Sequence, residues 1–157
     1  MAKNLLYSIL FIFLTNFVLA QSDEVKKIFE PTETDSLYIL AIKNYMKELN
    51  ELESKIIYVQ YENYLSRLPK RINGFEIIKL GLANRKEYFR KNKNRLSLVE
   101  ISPLTIEDGL FNITLTPYGA KLKRKKKLEL LYSHFHRTYF KYLNGKLIMV
   151  KTESGGI

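Results

Sequence analysis

The sequence predicts an α+β domain in which an N-terminal amphipathic helix, with a short second helix, packs on a curved antiparallel β-meander. Three observations predict this class. The last third of the chain alternates apolar and polar residues, and two turn dipeptides, Asp108-Gly109 and Asn144-Gly145, divide it. Upstream, an apolar stripe recurs every three or four residues, which is typical of one helix face. No internal repeat interrupts the chain, so one domain is expected.

The first twenty residues have the three regions of a secretory signal peptide. Lys3 precedes an apolar run from Leu5 to Leu14, and Val18-Leu19-Ala20 places small residues where a signal peptidase cleaves. The apolar run is shorter than the roughly 20 residues that a membrane-spanning helix needs. We therefore expect export through the secretory pathway, to a periplasmic or extracellular location, with no transmembrane span after cleavage.

The rest of the chain is predicted to form one domain with short flexible ends. Residues 21–31 are polar and acidic and predict a flexible lead-in, and residues 154–157 predict a frayed tail. Between them, residues 32–153 form a chain long enough to bury a core of its own. A hydrophobic content of 46% and an aromatic content of 13% exclude a disordered chain.

Two helices are predicted from periodicity and capping signals. The first runs from about Asp35 to Leu52, where Thr32 and Asp35 have the spacing of a capping box. Its predicted buried face consists of Tyr38, Ala41, Ile42, Tyr45, Leu49 and Leu52. The second helix begins at Asn84 and ends near Asn92, with Glu87 at the position that a capping box prefers.

Strands are predicted where β-branched, aromatic or alternating residues lie between turn signals. We expect a break at Ser102-Pro103, because proline cannot donate a hydrogen bond to a neighbouring strand, and an interruption near Ser133. Pro117-Tyr118-Gly119 is expected to end the strand before it. The predicted strands are Lys55–Tyr61, Phe75–Leu80, Leu96–Ile106, Leu110–Thr116, Leu128–Leu143 and Lys146–Thr152.

This order of elements resembles the nuclear-transport-factor-2-like or cystatin-like superfamily, in which an N-terminal helix lies in a strongly bent sheet. The resemblance covers Thr32 to Thr152 and is one of element order. The signal peptide and the strand-turn-strand ending around Phe140, Tyr142 and Gly145-Lys146 also resemble uncharacterised small secreted proteins of Gram-negative bacteria. Neither resemblance implies a catalytic residue, because this fold hosts enzymes and binding modules alike.

The sequence lacks the residues and motifs of several catalytic classes. The chain has no cysteine, which excludes disulfides, thiol nucleophiles and thiolate metal sites. It also lacks a glycine-rich phosphate loop, a G-x-S-x-G motif and an H-E-x-x-H motif. We therefore predict neither a cofactor nor a metal, and favour a non-enzymatic protein over an enzyme.

His134 and His136, the two histidines of the chain, are the strongest candidates for a catalytic or metal-binding site. In an extended strand both side chains lie on one face. Two imidazoles at this spacing can share zinc, but a catalytic zinc site needs a third protein ligand such as Glu100 or Glu129. One histidine could instead act as a general acid or base, or both could be structural. All three interpretations remain open at the level of sequence.

Two basic runs account for the excess of positive charge, which is +10 overall. Six cations lie between Arg85 and Arg95, and six of the seven residues from Lys121 to Lys127 are basic. Such runs indicate a polyanionic partner, or they form a solvated hairpin tip that protects a sheet edge. Export argues against nucleic acid and favours lipid headgroups or an acidic polysaccharide. The candidate residues are Arg85, Lys86, Arg90, Lys91, Lys121, Lys123, Arg124, Lys125, Lys126 and Lys127.

Three functional hypotheses follow from the sequence. The first is an exported, non-enzymatic domain that binds a small ligand or a protein between helix and sheet, since aromatic rings with polar tips suit such a site. The second is a small hydrolase or lyase that uses the His134/His136 strand. The third is polyanion binding through the two basic runs. The candidate ligand-binding residues of the first hypothesis are Tyr45, His134, His136, Phe140 and Tyr142.

Overall fold

The computed structural model describes residues 32–49, 55–123, 127–132 and 134–156. The predicted signal peptide and lead-in, residues 124–126 of the second basic run, and Ser133 lie outside these described residues. In chain order the described elements are α1 (Glu33–Glu48), β1 (Ile56–Gln60), a 3-10 turn (Asn63–Leu65), β2 (Arg71–Ile72), β3 (Phe75–Leu80), α2 (Arg85–Lys91), β4 (Arg95–Ile101), β5 (Thr105–Glu107), β6 (Leu110–Leu122), β7 (Leu128–Tyr132), β8 (His134–Leu143) and β9 (Lys146–Gly156).

Helix α1 begins two residues before the predicted start and ends at Glu48, whereas the predicted end, Leu52, lies outside the described residues. Lys43 and Lys47 are exposed. The buried positions are Asp35, Leu37, Tyr38, Ala41, Ile42, Asn44, Tyr45 and Met46. None of the described helices combines the length and the apolar character that a membrane span requires.

The α+β class is confirmed, but the sheet is mixed and not wholly antiparallel. Its order is β2-β3-β1-β4-β6-β8-β9, and β1 runs parallel to both β3 and β4. The chain leaves β3 through α2 and returns as β4 on the other side of β1, so all three strands point the same way. From β4 onward the pairs are antiparallel. The sequence pattern missed the parallel part because alternation marks a strand without identifying its neighbours.

Alternating side chains give the sheet two apolar faces with separate cores. Val99 and Ile101 of β4 belong to the larger core, which includes the buried residues of α1. Leu98, between them, belongs to a smaller core with Phe89 of α2 and Ala120 of β6. We call these two sides the α1 face and the α2 face. The helices therefore cover opposite sides of one sheet.

Strand β6 pairs with neighbours along both of its edges and runs through Pro117. The prediction that Pro117-Tyr118-Gly119 ends the strand is wrong, because Pro117 pairs with Val99 of β4. On the opposite edge, β8 pairs with β6 up to Leu115, and β7 pairs with it from Tyr118 onward. Proline lacks a backbone N–H, and here it lies where the second neighbour changes, so the strand tolerates it.

On both edges of β6, the neighbouring chain is interrupted where the sequence predicts a break. Leu115 pairs with Ile101 and Asn112 with Thr105, so one extra residue lies on the β4–β5 side, around Pro103. Ser102 bridges this break, because its N–H donates to the Thr114 carbonyl at 2.8 Å and its Oγ accepts from the Thr114 N–H at 2.9 Å. On the other side Tyr118 pairs with Tyr132 and Leu115 with His136, again with one extra residue.

The predicted turns at Asp108-Gly109 and Asn144-Gly145 are confirmed by their backbone geometry. All four residues have positive φ, with values of 50° at Asp108, 75° at Gly109, 49° at Asn144 and 81° at Gly145. Two consecutive positive φ values are the requirement of a type I′ hairpin turn. Each turn therefore returns the chain directly against the preceding strand.

The predicted frayed tail is wrong up to Gly156, because β9 continues to that residue and pairs with the start of β8. Gly155 lies opposite Phe135, and a Cβ at this glycine would be 2.9 Å from Phe135 Cε1. The glycine therefore leaves room for the aromatic ring. The glycines that led to the prediction of a flexible tail therefore allow β8 and β9 to approach each other closely.

Replacement of Leu115 by alanine should lower the free energy of unfolding by about 2–5 kcal/mol, because the side chain is 1% exposed and a cavity would remain in the core. Leu82→Ala, at a side chain that is 82% exposed, provides the control and should stay within about 0.5 kcal/mol of the parent. Urea denaturation measures both. Equal losses in the two variants would contradict the assigned core.

Candidate functional site

A cavity of about 500 Å³ lies beside the C-terminal end of α1. Most of its lining is apolar or aromatic, with a few polar side chains among them. The lining residues are Tyr45, Leu49, Ile56, Ile57, Tyr58, Phe75, Asn92, Leu96, Ser97, Val99, Pro117, Tyr118, Gly119 and His134. Volume and lining fall within the range that is usual for small-molecule sites.

The cavity exists because β1 and β4 pair over only part of their length. β1 pairs with β3 along all its five residues, but with β4 only at Tyr58–Leu98 and Val59–Val99. Continuation of this register would place Ile57 opposite Ser97. These two residues instead line the cavity, so an opening between the parallel strands supplies part of its volume.

Tyr45 is the most distinctive polar group of the cavity. The residue is 3% exposed, and its hydroxyl has no hydrogen-bond partner among the described residues. Burial, with a smaller contribution from the Glu48 carboxylate, raises the pKa of Tyr45 to about 12. The hydroxyl therefore keeps its proton at neutral pH and can donate a hydrogen bond to a ligand.

The other polar groups of the cavity come from separate elements. Asn92, which follows α2, donates from Nδ2 to the Tyr58 hydroxyl at 3.2 Å. Burial raises the pKa of Tyr118, and the nearby Glu100 carboxylate adds to this effect. Ser97 and Gly119 lie opposite each other on β4 and β6. The lining thus offers hydroxyl, amide and imidazole groups around an apolar space.

His136 belongs to a hydrogen-bonded cluster that joins α1 to the last two strands. Its Nδ1 lies 2.9 Å from Glu48 Oε1 and 2.9 Å from Ser154 Oγ, and Ser154 Oγ donates to Glu48 Oε1 at 2.7 Å. Because a carboxylate only accepts, Nδ1 carries a proton. The His136 ring is also 6.0 Å from the ring of Tyr45. The cluster therefore holds the end of α1 beside the cavity.

The cluster contains serine, histidine and glutamate, but their arrangement differs from that of a nucleophilic triad. In a triad the serine and the acid contact different imidazole nitrogens. Here Ser154 and Glu48 share Nδ1, while Nε2 is buried and has no partner among the described residues. The hydrolase or lyase hypothesis stays a prediction, and no contact of the described residues favours it.

The five sequence-predicted ligand residues do not form one site. Tyr45 and His134 line the cavity. His136 contacts Tyr45 but is 2% exposed and is engaged by Glu48 and Ser154. Phe140 is completely buried in the larger core, and Tyr142 is 62% exposed beside the first turn of α1. Among the described residues, no group of three or more histidine or carboxylate side chains is placed to hold a metal ion.

The fold brings the two basic runs together at one end of the sheet. Phe89 of α2 packs against Leu98 and Ala120, and the flanking Leu122 and Leu128 belong to the base of the β6–β7 hairpin. The Leu122 N–H donates to the Asn94 carbonyl at 3.0 Å, which ties the segment after α2 to this hairpin. Helix α2 and the hairpin therefore present their cations as neighbours.

Charge at this end is only partly balanced. The described cations are Arg85, Lys86, Arg90, Lys91, Lys93, Arg95, Lys121, Lys123 and Lys127, and the carboxylates within the same segments are Glu87 and Glu129. Glu87 pairs with Lys91 at 2.6 Å, and Glu129 pairs with Lys123 at 2.8 Å. These hydrogen bonds lower the pKa of both carboxyl groups. Most of the cations remain available to a partner.

Apart from Tyr45, sequence reasoning missed the cavity residues outside the histidine strand. Ser97 interrupts an apolar strand, and Gly119 lies two residues after Pro117. Both patterns indicate a special position, but neither reveals that the two residues lie opposite each other. Glu48 and Ser154 were missed because 88 and 18 residues, respectively, separate them from His136. Only the pairing of strands and the placement of α1 bring such residues into contact.

Glu48→Ala should lower the free energy of unfolding by about 1–2 kcal/mol, because it removes the acceptor for His136 and Ser154. Glu48→Gln keeps an acceptor oxygen and should lose less. The control is Glu76→Ala, at an exposed position of β3. Urea denaturation of the three variants tests the cluster, and losses that are equal for Glu48→Ala and Glu76→Ala would contradict its role.

Comparison with family models, curated proteins and solved structures yields no match for this chain. The resemblance to the nuclear-transport-factor-2-like or cystatin-like superfamily therefore stays a prediction from element order. The features of this chain that bear on function are the cavity and the basic end of the sheet.

Proposed function

We propose that this protein is an exported, non-enzymatic binding domain that takes a small ligand in the cavity beside α1. One observation carries the proposal: the hydroxyl of Tyr45, a residue that is 97% buried, lines an apolar space of about 500 Å³ and has no hydrogen-bond partner among the described residues. An intramolecular hydrogen bond contributes about 0.5–1.5 kcal/mol net, and a ligand that offers an acceptor to the Tyr45 hydroxyl would gain a bond of this kind.

The surrounding residues support binding more than catalysis. Ile56, Ile57 and Leu49 provide apolar area, while Tyr58, Asn92 and Ser97 can orient a ligand through hydrogen bonds. Such a site combines a large contact area with few directional groups. Export is part of the proposal because the signal peptide predicted at residues 1–20 would place the domain outside the cytoplasm.

Ser97→Leu should weaken the binding of the neutral fluorescent probe N-phenyl-1-naphthylamine by about tenfold or more. The leucine side chain would occupy cavity space and displace part of the probe. The probe would then lose apolar contact that contributes about 1.4 kcal/mol or more to its binding free energy. A fluorescence titration of the folded protein measures the affinity.

Thr152→Leu is the matched control, because it introduces the same side chain at an exposed strand position of β9 outside the cavity lining. It should leave the affinity for the probe unchanged. Absence of probe binding, or equal effects of the two substitutions, would contradict a ligand site in this cavity.

A second candidate function, polyanion binding, is favoured by the convergence of α2 and the β6–β7 hairpin. Nine described cations share this end of the sheet with two carboxylates, and each carboxylate already pairs with a lysine. A field of one sign attracts anionic surfaces and polymers over about a Debye length. Leu82, next to Arg85 in a surface cleft, is 82% exposed and could enter a lipid interface beside the cations.

The double substitution Lys86→Gln and Arg90→Gln should weaken binding to phosphatidylglycerol vesicles by about 10- to 30-fold, since each basic residue near an anionic surface contributes about 1 kcal/mol. Co-sedimentation at several salt concentrations measures this effect. Lys141→Gln with Lys146→Gln removes equal charge at the β8–β9 hairpin and is the control. Salt-independent binding would contradict the proposal, and retention on heparin without vesicle binding would assign the surface to a polysaccharide.

A further inference from the structure

The cavity beside α1 continues into a surface groove. Leu96, Ser97 and Gly119 line both the cavity and a second depression of about 650 Å³. The additional residues of this depression include Arg95, Lys121, Glu129 and Leu131. A ligand that fills the cavity therefore has a path past Ser97 and Gly119 to the surface of the protein.

The strand register places two cations at the outer part of this path. Arg95 pairs with Lys121, and two residues further along β4 Ser97 pairs with Gly119. Residues two positions apart on a strand share a face, so Arg95 and Lys121 lie on the α1 face together with Ser97 and Gly119. The rise of a strand separates the two pairs by about 7 Å. Cationic groups thus follow the apolar section at a distance that one small molecule can bridge.

The nearby carboxylate, Glu129, forms its ion pair with a lysine outside this pair of cations. Glu129 lies opposite Lys121 on β7, but its Oε1 is bound by Lys123 Nζ at 2.8 Å. Neither Arg95 nor Lys121 forms an ion pair with another described residue. The guanidinium of Arg95 can bind a carboxylate through two parallel hydrogen bonds, and the ammonium of Lys121 can add a third.

We propose that the ligand is an amphipathic monocarboxylate, with an apolar body in the cavity and its carboxylate between Arg95 and Lys121. This inference rests on the proposed function, because it names the class of ligand for the same cavity. An apolar body matches the lining beside Tyr45 and Ile57, and an anionic head complements the two cations. A neutral apolar molecule would use only the first part of the site.

Displacement of N-phenyl-1-naphthylamine by decanoate and by decanol tests the class of ligand, because the two molecules share a chain length and differ in charge. Decanoate, below the concentration at which it forms micelles, should displace the probe at about tenfold lower concentration than decanol. Such a preference is the gain expected from a charge-assisted hydrogen bond. It should decrease as salt is added.

The double substitution Arg95→Gln and Lys121→Gln should weaken decanoate about tenfold and leave decanol and the probe unchanged. Lys141→Gln with Lys146→Gln removes the same charge far from the groove and should change none of the three affinities. Equal affinity of decanoate and decanol, or an equal effect of the double substitution on both, would overturn the inference.

The same experiment separates failure of this inference from failure of the proposed function. Probe and decanol that bind in a manner sensitive to Ser97→Leu, without any preference for decanoate, would leave the cavity as a ligand site and overturn the carboxylate assignment. Failure of every probe to bind would overturn both. A decanoate preference that only the Arg95 and Lys121 substitutions abolish would support both.

Discussion

The double pairing of β6 is the constraint on which the rest of the structure depends. This strand of 13 residues pairs with β4 and β5 along one edge and with β7 and β8 along the other. On each edge the chain has one extra residue relative to β6, between β4 and β5 on one side and between β7 and β8 on the other. Extra residues of this kind bend a strand and increase its twist. Pro117 is compatible with a central strand because its missing N–H coincides with the change from β8 to β7.

The cavity follows from the way in which this sheet continues into its parallel part. β1 pairs fully with β3 but with only two residues of β4, so the strands separate where Ile57 and Ser97 would meet. Helix α1 ends beside this opening and contributes Tyr45 and Leu49. The cluster of Glu48, His136 and Ser154 holds the helix end there. The structural role of His136 and the proposed binding role of Tyr45 thus depend on one arrangement of helix and strands.

The two faces of the sheet separate two kinds of surface. On the α1 face, the apolar cavity leads outward to Arg95 and Lys121. On the α2 face, Phe89 anchors a basic helix beside the β6–β7 hairpin. Because α2 and the hairpin pack on the same end of the sheet, two basic runs that are separate in the sequence lie close together in the structure. Arg95 and Lys121, at the outer part of this path, also belong to the nine described cations at this end of the sheet.

Local patterns in the sequence determined the α+β class, most strands, α2 and the positive-φ turns, because each depends on residues close in the chain. The break at Ser102-Pro103 was equally visible, since a missing N–H is a property of proline itself. The predicted strand end at Pro117 and the predicted frayed tail at Gly155 were wrong, because the roles of these residues depend on the neighbouring strand. Tertiary structure decided the parallel placement of β1, the separation of Phe140 and Tyr142 from the cavity, and the contact of His136 with Glu48. These features require the register of strands that are distant in sequence, and alternation within one strand carries no information about that register.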